Sequence, residues 1–372
     1  MKRRDVLKLY SCGMLCAGIN GCSLVRPVKI NLRPEGVPFS FGDNYPKPQG
    51  GTIPKKELGR TGIMVSALGF GSHMRMPLVP YERERERILR DAFEYGVNLY
   101  DVYDIEGGKI YQYEPTGRHL APVINDVLIS INLSPYGGRS PEEELHRDLR
   151  LFGKDSIDLV RIHAWAPDDP KFGEIWWMWD ELFRFKEQGK IRAVGVPVHS
   201  WKDLKKPLDT YPLDFVMIPY NFYHNIAFGA AQAERETPDG GFDDVAKLLK
   251  EKGVGVITMK PLGGDFLITP FIKAAGMYAK EKELSVPQAA LRYVINSGIN
   301  ADSTLAGMYY PSHVYENVDA FLHPSISPEE RRLLNTLKKA ARMNAASWLP
   351  DHYRFLDHWA PELEVHDTST PV

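Results

Sequence analysis

The sequence predicts a (β/α)8 barrel, the TIM-barrel fold, in which eight parallel strands close into a cylinder surrounded by helices. From Thr52 onward, short apolar runs alternate with amphipathic segments of helical spacing, and we count eight such runs. Eight parallel strands are the number that closes into this barrel. The length of 372 residues accommodates one such barrel with extensions at both ends.

The predicted strands are short apolar runs bounded by turn-forming residues, as is typical of a buried parallel sheet. They cover residues 67–72, 97–101, 127–132, 157–163, 191–196, 215–220, 254–259 and 303–307. The run at 157–163 ends in His163, at the strand end where barrel active sites lie, although a hydrogen-bonded core histidine is the alternative interpretation.

The predicted helices lie between these strands. Ser140 followed by Pro141 and two acidic residues is an N-terminal helix signal, and Gly189 and Gly253 are predicted to end helices. An inserted helix is predicted at 266–282, and a C-terminal helix at 327–343 precedes an aromatic-rich tail. The regular helices are predicted at 81–95, 141–152, 173–188, 201–210, 242–252, 286–297 and 312–321, with a weaker one near 118–125.

The first 22 residues predict an export signal, with basic residues, a short apolar stretch and then Cys22. Arg3-Arg4 resembles a twin-arginine signal, and residues 19–22 resemble a lipobox in which Cys22 is lipidated. An ordinary basic N-terminus with a stray cysteine is the alternative. We therefore expect a periplasmic or membrane-anchored bacterial lipoprotein that contacts the membrane only through its lipid.

The predicted domain organisation has four parts. Residues 1–22 are the signal, and residues 23–54, rich in proline and glycine, form a linker or wrapping arm. Residues 55–325 form the barrel, and residues 326–372 form a helix and tail that pack on it.

Composition excludes several classes of function. The net charge is −2 without a long basic run, so nucleic-acid binding has no electrostatic basis. The three cysteines all lie within the first 22 residues, which excludes structural disulfides, thiolate metal sites and iron–sulfur clusters from the remaining chain.

Landmarks spread over roughly residues 55–321 resemble the aldo-keto reductase family. They occur in order at 57–71, 95–101, 157–163, 189–196, 219–221, 260–264, 291–295 and 316–317. The resemblance implies hydride transfer between NADP(H) or NAD(H) and a carbonyl or alcohol group of a small molecule. It places Asp101 and His163 in the active site.

The implied catalytic set is incomplete. Glu106 stands where the resemblance implies a proton-donating tyrosine, and Asn132 stands where it implies the lysine that tunes that tyrosine. Glu106 in an apolar site is one candidate for a substitute acid. The loop tyrosines Tyr103, Tyr111 and Tyr113 are others, with packing as the alternative interpretation.

Arg161 offers a compensation for the missing lysine. It lies two residues before His163, so on a strand it points to the same side, into the barrel. A buried guanidinium requires a carboxylate, and Asp101 has lost its lysine partner. We predict an Arg161–Asp101 ion pair, the alternative being that Arg161 turns outward to solvent.

The resemblance also implies a cofactor site. Pro197, Val198 and Met217 replace the polar residues that hold the nicotinamide amide, and His313 replaces an arginine expected at the 2′-phosphate. We therefore expect weak binding of the dinucleotide. The implied cofactor-binding residues are Gly71, Ser72, Tyr220, Gly307, Glu316 and Asn317.

Two other functions remain open. The first is a binding lipoprotein that has kept the barrel and lost its chemistry. The second is a metal-dependent or acid–base hydrolase, although no short metal-binding motif is present and no metal site is assigned. Tail residues 348–359 are expected either to line a pocket or to pack as an aromatic clasp, and Trp176 and Trp177 are expected in the core. The hydrolase would use His73, Asp101, Asp104, Glu106, His163, His199 and His224, all predicted near strand ends.

Overall fold

The computed structural model closes eight parallel strands into a barrel, preceded by a two-stranded antiparallel hairpin. Each barrel strand pairs with its neighbours along the chain, and the last strand pairs with the first, so the predicted (β/α)8 fold is confirmed. The structure describes residues 45–72, 82–104, 112–133, 139–162, 172–198, 201–222, 242–263 and 284–348.

The hairpin strands are β1 (Lys55–Glu57) and β2 (Met64–Ser66). The barrel strands are β3 (Leu68–Gly71), β4 (Leu99–Val102), β5 (Leu128–Asn132), β6 (Ile157–Arg161), β7 (Ile191–Pro197), β8 (Phe215–Pro219), β9 (Gly255–Met259) and β10 (Ser303–Gly307). The described helices are α1 (Glu82–Glu94), α2 (Tyr113–Leu120), α3 (Pro141–Phe152), α4 (Phe172–Ile175), α5 (Met178–Glu187), α6 (Trp201–Thr210), α7 (Phe242–Glu251), α8 (Val286–Ile295), α9 (Pro311–Leu322) and α10 (Pro328–Trp348), with a short 3-10 turn at Ala121–Val123.

The amino end of the barrel is sealed by the hairpin. Leu58, Ile63 and Val65 of the hairpin join a buried cluster with side chains from the strands. This cluster is apolar throughout, so the interior beneath the mouth excludes water and has a low dielectric constant. The strand residues in the cluster are Leu99, Leu159, Ala193, Phe215, Met217, Ile257 and Leu305.

Residues 45–54 pack against the barrel helices. The Ile53 amide donates to the Tyr95 carbonyl at 2.8 Å, and the Ile53 side chain is buried. The Tyr45 hydroxyl donates to Asp319 Oδ2 at 3.1 Å and accepts from Gln288 Nε2 at 2.7 Å. The described part of the predicted linker is therefore held in place by backbone and side-chain contacts.

Helix α3 shows how local sequence sets element bounds. Ser140 Oγ accepts from the Glu143 amide at 3.3 Å, and Glu143 Oε2 accepts from the Ser140 amide at 2.8 Å, which is a capping box. Gly153 ends the helix with a φ of 62°. Residues 141–152 were predicted with these bounds, and Gly189 and Gly253 also adopt the positive φ of helix C-termini.

Several sequence predictions are wrong in detail. The segment predicted as one helix at 173–188 is two, α4 and α5, and Trp177 between them is 50% exposed rather than in the core. The weak helix predicted at 118–125 begins at Tyr113, because tertiary packing overrides the unfavourable Pro115 and Gly117 within it. Strand β6 ends at Arg161, two residues earlier than predicted.

Several predicted segments lie outside the described residues. They are the export signal with Cys22, the linker up to residue 44, the insertion at 266–282 and the tail beyond residue 348. Within the described part of the chain, no helix combines the length and apolar character needed to cross a membrane.

Gly117 allows helix α2 to pack closely against helix α3. A Cβ at this position would collide with the Leu151 carbonyl oxygen, so we expect Gly117→Ala to destabilise the protein by about 3 kcal/mol. Urea denaturation, monitored by circular dichroism, measures the change in the free energy of unfolding. Gly173→Ala is the matched control, because its Cβ would meet nothing within 4 Å in a helix, where alanine is favoured. An unchanged free energy of unfolding in Gly117→Ala would contradict this account.

Candidate active site

Four polar side chains enter the barrel at the carboxyl ends of adjacent strands. Asp101 of β4 pairs in register with Ser130 of β5, and Asn132 of β5 pairs with Arg161 of β6. Because alternate residues of a strand point to opposite faces, these four side chains share the inner face. All four residues are buried, with at most 7% of the residue surface exposed.

Arg161 and Asp101 form a buried ion pair. Arg161 Nη1 lies 2.7 Å from Asp101 Oδ1, and Nη2 donates to Asp101 Oδ2 at 3.1 Å. Ser130 Oγ accepts from Arg161 Nη1 at 2.9 Å and donates to Asp101 Oδ1 at 2.8 Å. The predicted pair is confirmed, and the alternative of an outward Arg161 is wrong.

The electrostatics of the pair reflect its burial. Burial raises the pKa of Asp101, while the Arg161 guanidinium and the Ser130 hydrogen bond oppose that rise. The Arg161 guanidinium also lies 5.8 Å from the centre of the Tyr103 ring, within the range of a cation–π contact. The pair therefore places a positive group at the mouth without adding net charge.

Asn132 is joined to α2 through its backbone. Its carbonyl accepts a 2.9 Å hydrogen bond from the Tyr113 hydroxyl, and Tyr113 is 1% exposed. Burial raises the pKa of Tyr113 well above its ordinary value, which makes this phenol a weaker acid. Tyr113 was predicted as a loop tyrosine and a candidate acid. In the structure it is the first residue of helix α2, and its hydroxyl proton is donated to the Asn132 carbonyl.

Asp104 caps the same helix. Its Oδ1 accepts from the backbone amides of Gln112 and Tyr113, the latter at 3.0 Å, and its Oδ2 accepts from Arg147 at 3.3 Å. These bonds give Asp104 a structural role at the helix N-terminus. Among the residues that the structure describes, no group of three His, Cys, Asp or Glu residues is placed to hold a metal ion.

The implied cofactor residues at the end of β3 lie close to the ion pair. Gly71 pairs in register with Gly307 of β10, where the two strands close the barrel. Ser72 Oγ donates to the Asp101 carbonyl at 2.7 Å. Tyr220, after β8, stacks on Tyr293 with ring centres 5.8 Å apart.

The implied adenine-binding residues lie on α9 and are bonded within the protein. Glu316 accepts a hydrogen bond from the Ser285 hydroxyl, and Asn317 Nδ2 donates to the Gly307 carbonyl at 3.4 Å. Burial raises the pKa of Glu316 to about 8, so this carboxyl group is protonated at neutral pH. Burial also lowers the pKa of His313 to about 4, which leaves its imidazole uncharged.

Sequence reasoning did not assign roles to Ser130 or Lys260. Ser130 bridges Arg161 and Asp101, and its position two residues before Asn132 was the signal that it faces inward. Lys260 follows β9, has a φ of 56°, and has its pKa lowered by burial to about 8. It is a cationic residue at the carboxyl end of the barrel that can bind a phosphate group.

Several predicted site residues lie outside the described part of the chain. Glu106, His163 and Tyr111 are among them, as are His73, His199 and His224 of the hydrolase hypothesis. Their predicted roles remain predictions.

The ion pair between Arg161 and Asp101 is expected to contribute to the free energy of unfolding. Asp101→Leu or Arg161→Met alone is expected to cost about 3–5 kcal/mol, because each leaves a buried charge without its partner. The double variant should cost less than the sum of the two, as measured by urea denaturation. Arg192→Met is the control, since Asp158 keeps Lys154 at 3.1 Å when its 2.6 Å contact with Arg192 is removed. Additive effects of the two single variants would contradict a coupled pair.

Glu316 is expected to make the free energy of unfolding depend on pH. The folded protein keeps the Glu316 proton up to about pH 8, whereas the unfolded chain loses it near the ordinary glutamate pKa of 4.5. The contribution of Glu316 to stability is therefore fully present below pH 4.5 and is lost as pH rises toward 8. Glu316→Gln should reduce this decline by up to about 1.4 kcal/mol per pH unit, measured by urea denaturation at several pH values. An equal loss of stability at every pH would indicate a packing effect instead.

Known proteins match most of the chain. The model of the aldo/keto reductase family matches residues 68–339. The chain is similar to L-galactose dehydrogenase of Arabidopsis thaliana, with 25% identity over 297 residues that cover 72% of this chain and 88% of that protein. It is also similar to (1S)-1,7-diacetoxy-luvungin A aldo-keto reductase of Citrus sinensis, with 23% identity over 336 residues that cover 82% of this chain and 96% of that protein.

Solved structures show the same barrel. The holo form of aldo-keto reductase AKR11C1 from Bacillus halodurans superposes with a TM-score of 0.59 and 21% identity, covering 77% of this chain and 96% of that chain. This likeness supports the fold. Because the family model covers well over half of the sequence, the chain belongs to the aldo/keto reductase family.

Proposed function

We propose that the protein is an oxidoreductase that transfers a hydride between a nicotinamide dinucleotide and the carbonyl carbon of a small molecule. Membership of the aldo/keto reductase family supports an oxidoreductase function. The observation that carries the proposal is the buried Arg161–Asp101 pair, which lies at the carboxyl end of the barrel and puts a cation beside Asp101 where the resemblance implies a lysine. Because Arg161 keeps a positive charge beside Asp101, it supports the proposal that the site still catalyses hydride transfer.

In this proposal Arg161 polarises the substrate carbonyl. A guanidinium has five N–H groups, and Arg161 uses at most three in its contacts with Asp101 and Ser130. The others can donate to a carbonyl oxygen and stabilise the negative charge that develops on it. A guanidinium is a very weak acid, so in this proposal Arg161 stabilises the oxyanion without supplying the proton.

A separate group must supply that proton. Tyr113 is a poor donor because burial raises its pKa and its hydroxyl is bonded to the Asn132 carbonyl. We assign the proton to Glu106, which stands where the resemblance implies the catalytic tyrosine. A carboxylic acid in an apolar site retains its proton at neutral pH and can act as a general acid.

The described residues fit the dinucleotide only in part. Tyr220, Asn317 and Lys260 lie near the strand ends, but Pro197 and Met217 are buried side chains without the polar atoms needed to hold the nicotinamide amide. When bound, the cofactor supplies the hydride. We expect it to bind weakly, with its orientation set by fewer hydrogen bonds than the resemblance implies.

The first test is a titration of the full-length protein with NADPH and with NADH. Binding is expected to change nicotinamide fluorescence and to raise thermal stability, by about 2.7 kcal/mol at a hundredfold excess over the dissociation constant. Oxidation of the bound cofactor by a panel of small aldehydes and ketones is then followed at 340 nm. Absence of binding of both cofactors at millimolar concentration would reject the proposal and favour a binding protein on the same barrel.

The role of Arg161 is tested in the same assay. Arg161→Lys keeps the charge and loses the planar fork, so we expect kcat/KM to fall on the order of 100-fold in a variant shown by circular dichroism to be folded. Arg192→Met is the control, because Arg192 lies near the amino end of β7, is 44% exposed and should leave kcat/KM unchanged. Equal activity of Arg161→Lys and the unaltered protein would remove Arg161 from the mechanism.

A further inference from the structure

Arg147 of helix α3 lies in the outer layer of the barrel and contacts three carboxyl groups. Its Nη2 donates to Asp104 Oδ2 at 3.3 Å. Its Nη1 donates to Glu144 Oε1 at 3.0 Å and to Asp148 Oδ1 at 3.1 Å. The Arg147 side chain is 28% exposed, whereas those of its three partners are at most 11% exposed. Contacts of this kind are screened less by water than ion pairs at the surface.

Asp104 connects Arg147 to the mouth of the barrel. It follows β4, and its Oδ1 accepts from the backbone amides of Gln112 and Tyr113 at the start of α2. Burial raises the pKa of Asp104, whereas the two amides and the Arg147 guanidinium oppose that rise. An ionised carboxylate accepts stronger hydrogen bonds than a neutral acid. Arg147 therefore strengthens the cap that Asp104 provides at the start of α2.

The start of α2 is bonded to the ends of two barrel strands. Gln112 Nε2 donates at 2.8 Å to the carbonyl of Ser72, which follows β3. The Tyr113 hydroxyl donates at 2.9 Å to the carbonyl of Asn132, the last residue of β5. A displacement of the helix start is therefore transmitted to both strand ends.

These two strand ends contact the residues of the ion pair. Ser72 Oγ donates to the Asp101 carbonyl at 2.7 Å. The amide of Leu133, which follows Asn132, donates to the Arg161 carbonyl at 2.9 Å. Each partner of the ion pair is thus held through its backbone by a strand end that α2 holds in turn.

We propose that Arg147 is a positioning residue for the candidate active site. By holding Asp104 it fixes the start of α2, and that helix fixes the strand ends from which Asp101 and Arg161 enter the barrel. Its effect on turnover rests on the proposed function, whereas its effect on the backbone can be measured without any cofactor. Displacing a reacting group by about 1 Å lowers a rate by up to about 100-fold.

Asp148 competes with Asp104 for Arg147. Asp148 is 0% exposed, and within the part of the chain that the structure describes its Oδ2 makes no hydrogen bond. Burial raises the pKa of Asp148 to about 8, so it is protonated at neutral pH and leaves Arg147 to Asp104. Above that pH its ionised form attracts Arg147 more strongly. The charged and titratable groups that face Asp148 are Glu144, Arg147, Asp104, Arg139 and Tyr113.

Hydrogen exchange of the protein without cofactor tests the effect on the backbone. Arg147→Met should raise exchange on the order of 10-fold at the amides of Gln112 and Tyr113, because their acceptor loses its cation. The increase should extend to the Leu133 amide. Arg150→Met is the matched control, since Arg150 is exposed on the same helix and should leave these amides unchanged. An unchanged α2 start, or an increase that does not reach Leu133, would overturn the proposal whether or not any carbonyl is reduced.

Steady-state kinetics test the effect on turnover. Arg147→Met should lower kcat on the order of 10-fold and leave the dissociation constant of the dinucleotide unchanged, and Arg147→Lys should recover part of the loss. Adding Arg147→Met to Asp104→Asn should cause little further loss, because both changes break one contact. An unchanged kcat in Arg147→Met would overturn the proposal. If the unaltered protein binds no dinucleotide, only the proposed function fails, and exchange at Leu133 decides the role of Arg147.

The competition by Asp148 is tested by pH. Protection factors, which correct exchange for its intrinsic pH dependence, are compared at about pH 7 and about pH 9. The unaltered protein should lose protection at the Gln112 and Tyr113 amides as pH rises through about 8, where Asp148 ionises. Asp148→Asn is neutral at both pH values and should keep it. An equal loss of protection in Asp148→Asn would overturn the role of Asp148.

Discussion

The buried contact between Arg161 and Asp101 is the interaction around which the mouth of this barrel is arranged. Removing two charges from water is unfavourable, and their attraction offsets that penalty only with good geometry and additional hydrogen bonds. Both conditions are met, since two guanidinium nitrogens face two carboxylate oxygens and Ser130 contacts both partners. The register of three adjacent strands supplies that geometry.

The rest of the barrel provides the setting in which this pair is strong. The hairpin side chains Leu58, Ile63 and Val65 close the amino end with apolar atoms. Charge–charge interactions above this layer are screened less than they would be in water. Burial above this apolar cluster therefore strengthens the contact between Arg161 and Asp101. It also means that removing one partner lowers the free energy of unfolding more than it would at the surface.

Helix α2 connects the mouth to the outer layer. Asp104 fixes the start of this helix through backbone amides, and Tyr113, its first residue, bonds to the Asn132 carbonyl. The end of β5 is thereby held from outside the barrel, while its side-chain amide stays uncommitted. Family membership supplies the fold, whereas function depends on the individual residues of the site.

The sequence by itself determined the barrel, the bounds of α3 and β10, and the inward position of Arg161. These follow from local rules: apolar runs mark strands, a capping box starts a helix, and alternate residues of a strand share a face. The partner of Arg161 was also predictable, because a buried guanidinium needs a carboxylate and Asp101 was available.

Only the tertiary structure decided the remainder. The bridge through Ser130, the unbonded amide of Asn132 and the extension of α2 back to Tyr113 depend on which strands and helices are neighbours and in what register. Exposure of Trp177 in a turn between two helices has the same origin. A local pattern states which face a side chain occupies, whereas its hydrogen-bond partners and its burial are set by residues distant in sequence that packing brings near.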